Sequence, residues 1–148
     1  MAKFNFLNSF GNPFVRLLIR SPFHSMIDHS VALIIYTGRK TGVTRSVPVN
    51  YLKEGNTLHI ISLSSRKWWR NLHGGAAVKV VVEGKEHNGW AELIENGEQV
   101  IGELRKIYST NPQLARYIQI GLDENGVPLE KDLKAAAKNR VAIRIQLT

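Results

Sequence analysis

Residues 31–63 read VALIIYTGRKTGVTRSVPVNYLKEGNTLHIISL, and this stretch decides the fold. Val31 to Thr37 is a nearly continuous apolar run, the pattern of a strand buried on both faces. Val43 to Leu52 alternates, with Val43, Val47, Val49 and Tyr51 on one side and Thr44, Ser46 and Asn50 on the other, as successive strand side chains do. Gly55-Asn56 is a hairpin signal that leads into a third strand, Thr57 to Leu63. Consecutive short strands of this kind favour an antiparallel sheet that curls toward a barrel.

Downstream, Ala77 to Glu83 and Lys85 to Ile94 read as two further strands joined at Gly84, and Val141 to Leu147 alternates as a last strand that returns to close the barrel. Arg66 to Leu72 is too polar for a strand and reads as one or two helical turns. Val100, Ile101, Leu104, Ile107 and Tyr108 form a helical stripe, Asn111-Pro112 caps a further helix, and Pro128 to Lys138 is helical again. At the other end, Asn12-Pro13 starts a helix carrying Phe14, Leu17 and Leu18, with Arg16 and Arg20 on one face. That face is either a solvated stripe or an interfacial helix or lid. The expected fold class is α+β, mainly antiparallel β: a six-stranded barrel with N-terminal and late helices. One domain spans 1–148 and includes an N-terminal helical segment, 1–27.

A chain of 148 residues can bury its own core without staples. It has no cysteine, which excludes a disulfide framework, a thiol nucleophile and a thiolate metal site. No apolar run is long enough to span a bilayer and no signal-peptide pattern is present, so the expected location is cytoplasmic, with peripheral membrane contact through the N-terminal helix as the variant. The net charge of +8 attracts anions. Nucleic acid is not the expected partner, because the cations are spread along the chain and no RNA-binding motif occurs. A basic module that binds single strands, or a lipid carrier, stands as the competing class.

Two segments carry chemistry. Thr37-Gly38-Arg39-Lys40-Thr41-Gly42 is a basic turn bracketed by glycines, which is either a solvated hairpin turn or an anion nest. Arg45 shares strand parity with Val47 and Val49, so its guanidinium must reach out of an apolar face or meet an anion. Ser62, Ser64 and Ser65 end a strand, Arg66 and Lys67 follow, and then come Trp68, Trp69, Arg70 and Asn71. Hydroxyls and loop N–H groups suit the polar rim of a heteroaromatic ring, and one indole can stack on it. Both indoles as core anchors, and Asn71 as a helix cap, are the plainer readings. The five histidines show no metal-ligand spacing.

In that order, Thr37-Gly38-Arg39-Lys40-Thr41-Gly42, Arg45, Pro48, Tyr51, Glu54-Gly55-Asn56, Ser62 and Trp68-Trp69-Arg70-Asn71-Leu72 resemble the deazaflavin-dependent nitroreductase family. The likeness runs from about Val31 to Val82. It implies an FMN-binding type of split β-barrel and the coenzyme F-420, an 8-hydroxy-5-deazaflavin whose tail bears a phosphate and glutamates. Its hydride would pass to a quinone, a nitroaromatic or a similar small-molecule electrophile. It implies that Arg39, Lys40, Thr41 and Arg45 hold the tail, that Ser62, Ser64, Ser65, Arg66, Trp68, Trp69 and Asn71 frame the ring, and that Pro48 lies beside it. Tyr117 is the candidate proton donor. The segment between Ser62 and Trp68 is short and lacks glycine, which keeps FMN as the alternative cofactor. Oligomeric state is not fixed by the sequence.

Overall fold

A computed structural model describes residues 31–148, apart from the side chains of Gln113, Arg116 and Tyr117. The N-terminal helical segment 1–27 lies outside the described residues. Seven strands form one wholly antiparallel sheet: β1 (Val31–Thr37), β2 (Thr44–Asn50), β3 (Leu52–Glu54), β4 (Thr57–Leu63), β5 (Ala76–Val82), β6 (Lys85–Ile94) and β7 (Arg140–Leu147). Two α-helices are described, α1 (Gly97–Thr110) and α2 (Glu130–Ala137), with 3-10 turns at Trp68–Leu72 and Pro112–Ile118.

The strand order is β2-β1-β5-β6-β7-β4-β3. The expected count of six strands is therefore corrected to seven. The alternating run that the sequence reads as one strand to Leu52 breaks at Tyr51. Its first part pairs with β1 and its second with β4, in the register Leu52↔His59 to Glu54↔Thr57. The last strand sits between β6 and β4 rather than at a closing seam.

Alternation fixes the inside. Ile34 and Tyr36 of β1, Val47 and Val49 of β2, Leu58 and Ile60 of β4, and Val141, Ile143, Ile145 and Leu147 of β7 face one buried cluster. β1 is buried on its other face too, at Leu33 and Ile35, as its unbroken apolar run requires. Trp68, Trp69 and Leu72 plug the same cluster from one end. Gly74 and Gly75, both with positive φ, carry the chain from this turn to β5. Gly75 is fixed twice over. Its φ is +88°, and a Cβ there would stand 2.5 Å from Cζ2 of Trp90.

Helix α1 starts at Asn96, whose Oδ1 accepts from the N–H groups of Glu98 (3.0 Å) and Gln99 (3.2 Å). This satisfies two donors that a helix start leaves open. Val100, Leu104, Ile107 and Tyr108 pack in a second cluster with Leu133 and Ala142, on the outside of the barrel. Glu103 lies on this apolar stripe and is 5% exposed. Its Oε1 meets Nδ1 of buried His59 at 2.7 Å and its Oε2 meets Arg144 at 3.0 Å. Nε2 of His59 faces Glu54 at 3.3 Å, off hydrogen-bond geometry, and Glu54 binds Lys106 at 3.0 Å. The network ties α1 to β3, β4 and β7.

Two outcomes follow from this packing. Burial pushes the Glu103 carboxyl up, but hydrogen bonds and charge from His59 and Arg144 together outweigh it and hold the group below its ordinary value. A lowered folded value means that its stabilisation is complete above the unfolded value of about 4.3 and fades as pH falls through the folded one. Glu103→Gln should cost about 1–3 kcal/mol at neutral pH and flatten the acid limb of stability, measured by urea unfolding from pH 7 to pH 3. Gly75→Ala should cost about 1–3 kcal/mol through strained φ and the clash with Trp90, read as a lowered urea midpoint.

Candidate functional site

The β1–β2 hairpin closes on itself. Gly38 N–H donates to the Val43 carbonyl at 2.8 Å, and Gly42 N–H to the Gly38 carbonyl at 2.9 Å. Gly42 has φ +70°, and the Thr41 hydroxyl accepts from Val43 N–H at 3.2 Å. The loop spends the N–H groups of Gly38, Gly42 and Val43 on its own shape. Lys40 and Thr41 are exposed, and their N–H groups have no partner among the described residues.

The Arg39 N–H reaches out of the loop to Oδ1 of Asn71 at 2.9 Å. The Nδ2 of Asn71 donates to the Trp68 carbonyl at 2.9 Å. An Arg39 guanidinium nitrogen also approaches the Arg70 carbonyl at 3.5 Å. The two segments singled out in the sequence, 31 residues and more apart, therefore meet directly.

Trp68 sits between the sheet's two ends. Its ring centroid is 6.1 Å from that of Tyr36, and its Nε1–H donates to the Ser62 hydroxyl at 3.1 Å. Tyr36 is the register partner of Arg45, so both side chains stand on the same face. Arg45 thus lies on the core-facing side of β2, as its parity predicts, but at the exposed rim. Both indoles are only 6% exposed, so they pack as core anchors. Arg70 lies over the Trp69 ring at 5.6 Å.

The register leaves a gap. β2 pairs only with β1, and β3 covers β4 only as far as His59. Among the described residues, the edge of Ile60–Leu63 away from β7 is therefore unpaired, as is the edge of β2 away from β1. β2 and β4 come close across this split without pairing. Arg45 and Pro48 lie on one lip, though on opposite faces of β2, and Pro48 is exposed. Ser62 is on the other lip, buried at 4%, with half-buried Ser64 and exposed Ser65 and Arg66 beyond it. Ser64 is held by its N–H to the Asn139 carbonyl at 2.9 Å. Asn71 and Trp68 close the end. Tyr117 falls in the turn Pro112–Ile118, but its side chain lies outside the described residues.

Charge is distributed unevenly. Lys53, Lys106, Arg105 and Arg144 each have a carboxylate partner. Arg39, Lys40, Arg45, Arg66, Lys67 and Arg70 are all exposed, and none has one among the described residues. The only acid between Thr37 and Leu72 is Glu54, and it is engaged by Lys106. Lys85, Lys131, Lys134 and Lys138 are likewise exposed without a carboxylate partner among the described residues, but the six cations of the two segments lie near one another, where they attract an anion. No group of three or more potential metal ligands occurs among the described residues. No described helix is long and apolar enough to cross a membrane.

Tyr36 and Asn139 were not evident as site neighbours from sequence. Parity alone aligns Tyr36 with Ile34, but its place opposite Arg45 requires the register of a hairpin with a six-residue loop.

Comparison with known proteins follows the same lines. A family model described as F420H(2)-dependent quinone reductase matches residues 10–125. Among solved structures, one described as a domain-swapped dimer has a TM-score of 0.54 at 16% identity, covering 96% of this chain and 100% of its own. A pyridoxamine 5'-phosphate oxidase assignment from Listeria innocua has a TM-score of 0.54 at 15% identity, covering 92% and 91%. The FAD and heme binding protein from Mycobacterium smegmatis has a TM-score of 0.52 at 17% identity, covering 87% and 66%. At these identities the structures share the fold alone. No curated protein matches the chain at a significant level.

Ser62→Ala tests the lip. It leaves the buried Trp68 N–H without its acceptor, and an unmade buried hydrogen bond costs about 1–3 kcal/mol. The expected result is a lowered urea midpoint with a shift in tryptophan emission; an unchanged midpoint would show that the bond does not hold the indole.

Proposed function

Since the chain belongs to the F420H(2)-dependent quinone reductase family, and is therefore an F420-dependent oxidoreductase, we propose that it passes hydride from reduced F420 to a quinone, a nitroaromatic or a similar electrophile. The observation that carries this reading is the split between β2 and β4, bordered by six cations that have no carboxylate partner among the described residues.

The residues fit such a ligand by chemistry. Lys40, Thr41, Arg39 and Arg45 are assigned to the anionic tail, where guanidinium forks and exposed N–H groups match phosphate and carboxylate oxygens. Ser62, Ser64, Ser65 and Arg66 are assigned to the polar rim of the ring, together with the unpaired strand edge of Ile60–Leu63. Pro48 flanks the ring. Trp68 and Trp69, packed inward, are assigned to the wall behind it rather than to an open stacking face. When bound, the reduced deazaflavin supplies the hydride; the chain supplies position and charge.

The acceptor requires one proton for each hydride to give a hydroquinone, and Tyr117 is assigned as its donor. Tyr108 is a poor alternative: it is 8% exposed in the helical cluster and burial raises its phenol.

FMN is the second reading, favoured by the flavin-binding neighbour's shared fold. The charge count separates the two. One phosphate carries about two negative charges at neutral pH, far fewer than six cations offer. A tail with several acidic groups uses them better.

Titration of the protein with F420, followed by ring fluorescence, should saturate. Lys40→Ala and Arg45→Ala should each weaken binding about tenfold or more, as loss of a charge-assisted hydrogen bond does, and the wild-type affinity should fall with added salt. FMN should bind more weakly than F420. Failure to bind either one would overturn the proposal.

A further inference from the structure

We propose that Asn71 is a positioning residue, which sets the distance between the ring end and the charged end of the site without touching the ligand. The inference rests on the reductase reading above and refines it. It differs from the sequence expectation, which places Asn71 among the residues that frame the ring.

Both ends of the Asn71 amide are engaged within the protein. A primary amide has one carbonyl oxygen and one NH2 group. The oxygen of Asn71 accepts from Arg39 N–H at 2.9 Å, and the nitrogen donates to the Trp68 carbonyl at 2.9 Å. The residue is half-buried between them. The two bonds fix the orientation of the amide and fasten it to two backbone segments at once.

What the two bonds join is informative. On one side is the backbone of the basic turn, at the residue before Lys40. On the other is the backbone of Trp68, whose indole is anchored to Ser62 on the β4 lip. The hairpin turn hangs beyond the end of the β1–β2 ladder, which stops at the pair Thr37↔Thr44. Its remaining bonds among the described residues are all internal. Among the described residues, the contacts that tie it to another segment run from Arg39 to Asn71 and to the Arg70 carbonyl, the latter at 3.5 Å. Asn71 is the shorter and better-aligned of the two ties. Without it the turn keeps its shape but not its place relative to Ser62 and Trp68.

The consequence is a form of selection. A ligand with both a ring and an anionic tail feels the spacing of the two ends; a ligand with only one of them does not. The test uses F420 and a deazaflavin that carries the ring and ribityl chain but no phosphate. The wild type should bind F420 more tightly. Asn71→Ala should weaken F420 binding about tenfold and change the affinity for the tail-less ring by less than twofold. In a cycle with Lys40→Ala, the double variant should bind F420 little worse than either single variant, because both act through the same turn. Equal losses for the two ligands, or losses that multiply fully in the double variant, would overturn the inference and make Asn71 a direct contact. If Asn71→Ala does not fold, Asn71→Ser replaces it, since a hydroxyl on the shorter side chain does not reach both partners at once. A wild type that binds neither ligand refutes the reductase reading instead, so the two failures are distinguishable.

Discussion

Tyr51 separates two strands that belong to opposite ends of one sheet. β2 ends at Asn50 as the partner of β1, and β3 begins at Leu52 as the partner of β4. A single residue can bridge the two edges only if the sheet curls until they nearly meet. Curling follows from strand twist, but its extent here is set by this covalent link. β3 then pairs for three residues only. The link therefore brings the two edges together at Tyr51, and no ladder joins β2 to β4 beyond it. The split between β2 and β4 is the direct consequence, with Arg45 and Pro48 on one lip and Ser62 on the other.

Open strand edges usually invite association. Here one lip carries Arg45 and Pro48, and Pro48 cannot donate to a further strand. The mouth carries six cations. These features discourage pairing with another sheet edge and suit a small anionic molecule with its own hydrogen-bonding rim. The charges on the helix side behave differently. Glu103, His59, Arg144, Glu54 and Lys106 form one chain of opposite-charge contacts. Paired charge fastens α1 to the sheet, while the cations near the split have no carboxylate partner among the described residues.

Much of this was readable from residue order. The unbroken run of β1 and the alternation of β7 give the barrel interior directly, and the parity of Arg45 with Val47 and Val49 places its guanidinium on the inner side. The break at Tyr51 was not readable. Alternation continues through it, and only the partners change. Glu103 and His59 were also hidden, because each looks like a stray polar residue until the helix is docked on the sheet. Its position three residues after Val100 and four before Ile107 was the available signal: a carboxylate on an apolar stripe needs a partner. For the tryptophans the sequence left two roles open, and their burial decides for packing. The link from Arg39 to Asn71 crosses between segments and involves a backbone N–H, which no side-chain pattern reveals.

One structural neighbour of the same fold is described as binding FAD and heme, so architecture alone does not choose the chemistry. In this chain the choice rests on how rigid the two ends of the split are and on how much charge they present. The ring end is built on a strand, a buried indole and a hydroxyl, all held by the barrel core. The tail end is a six-residue turn with little core beneath it. Affinity for a ligand that spans both depends on the turn being fixed before the ligand arrives, since ordering it on binding would consume part of the electrostatic gain. One half-buried amide between the turn and the tryptophan backbone performs that function, and it makes the exposed basic turn part of the same rigid unit as the ring end.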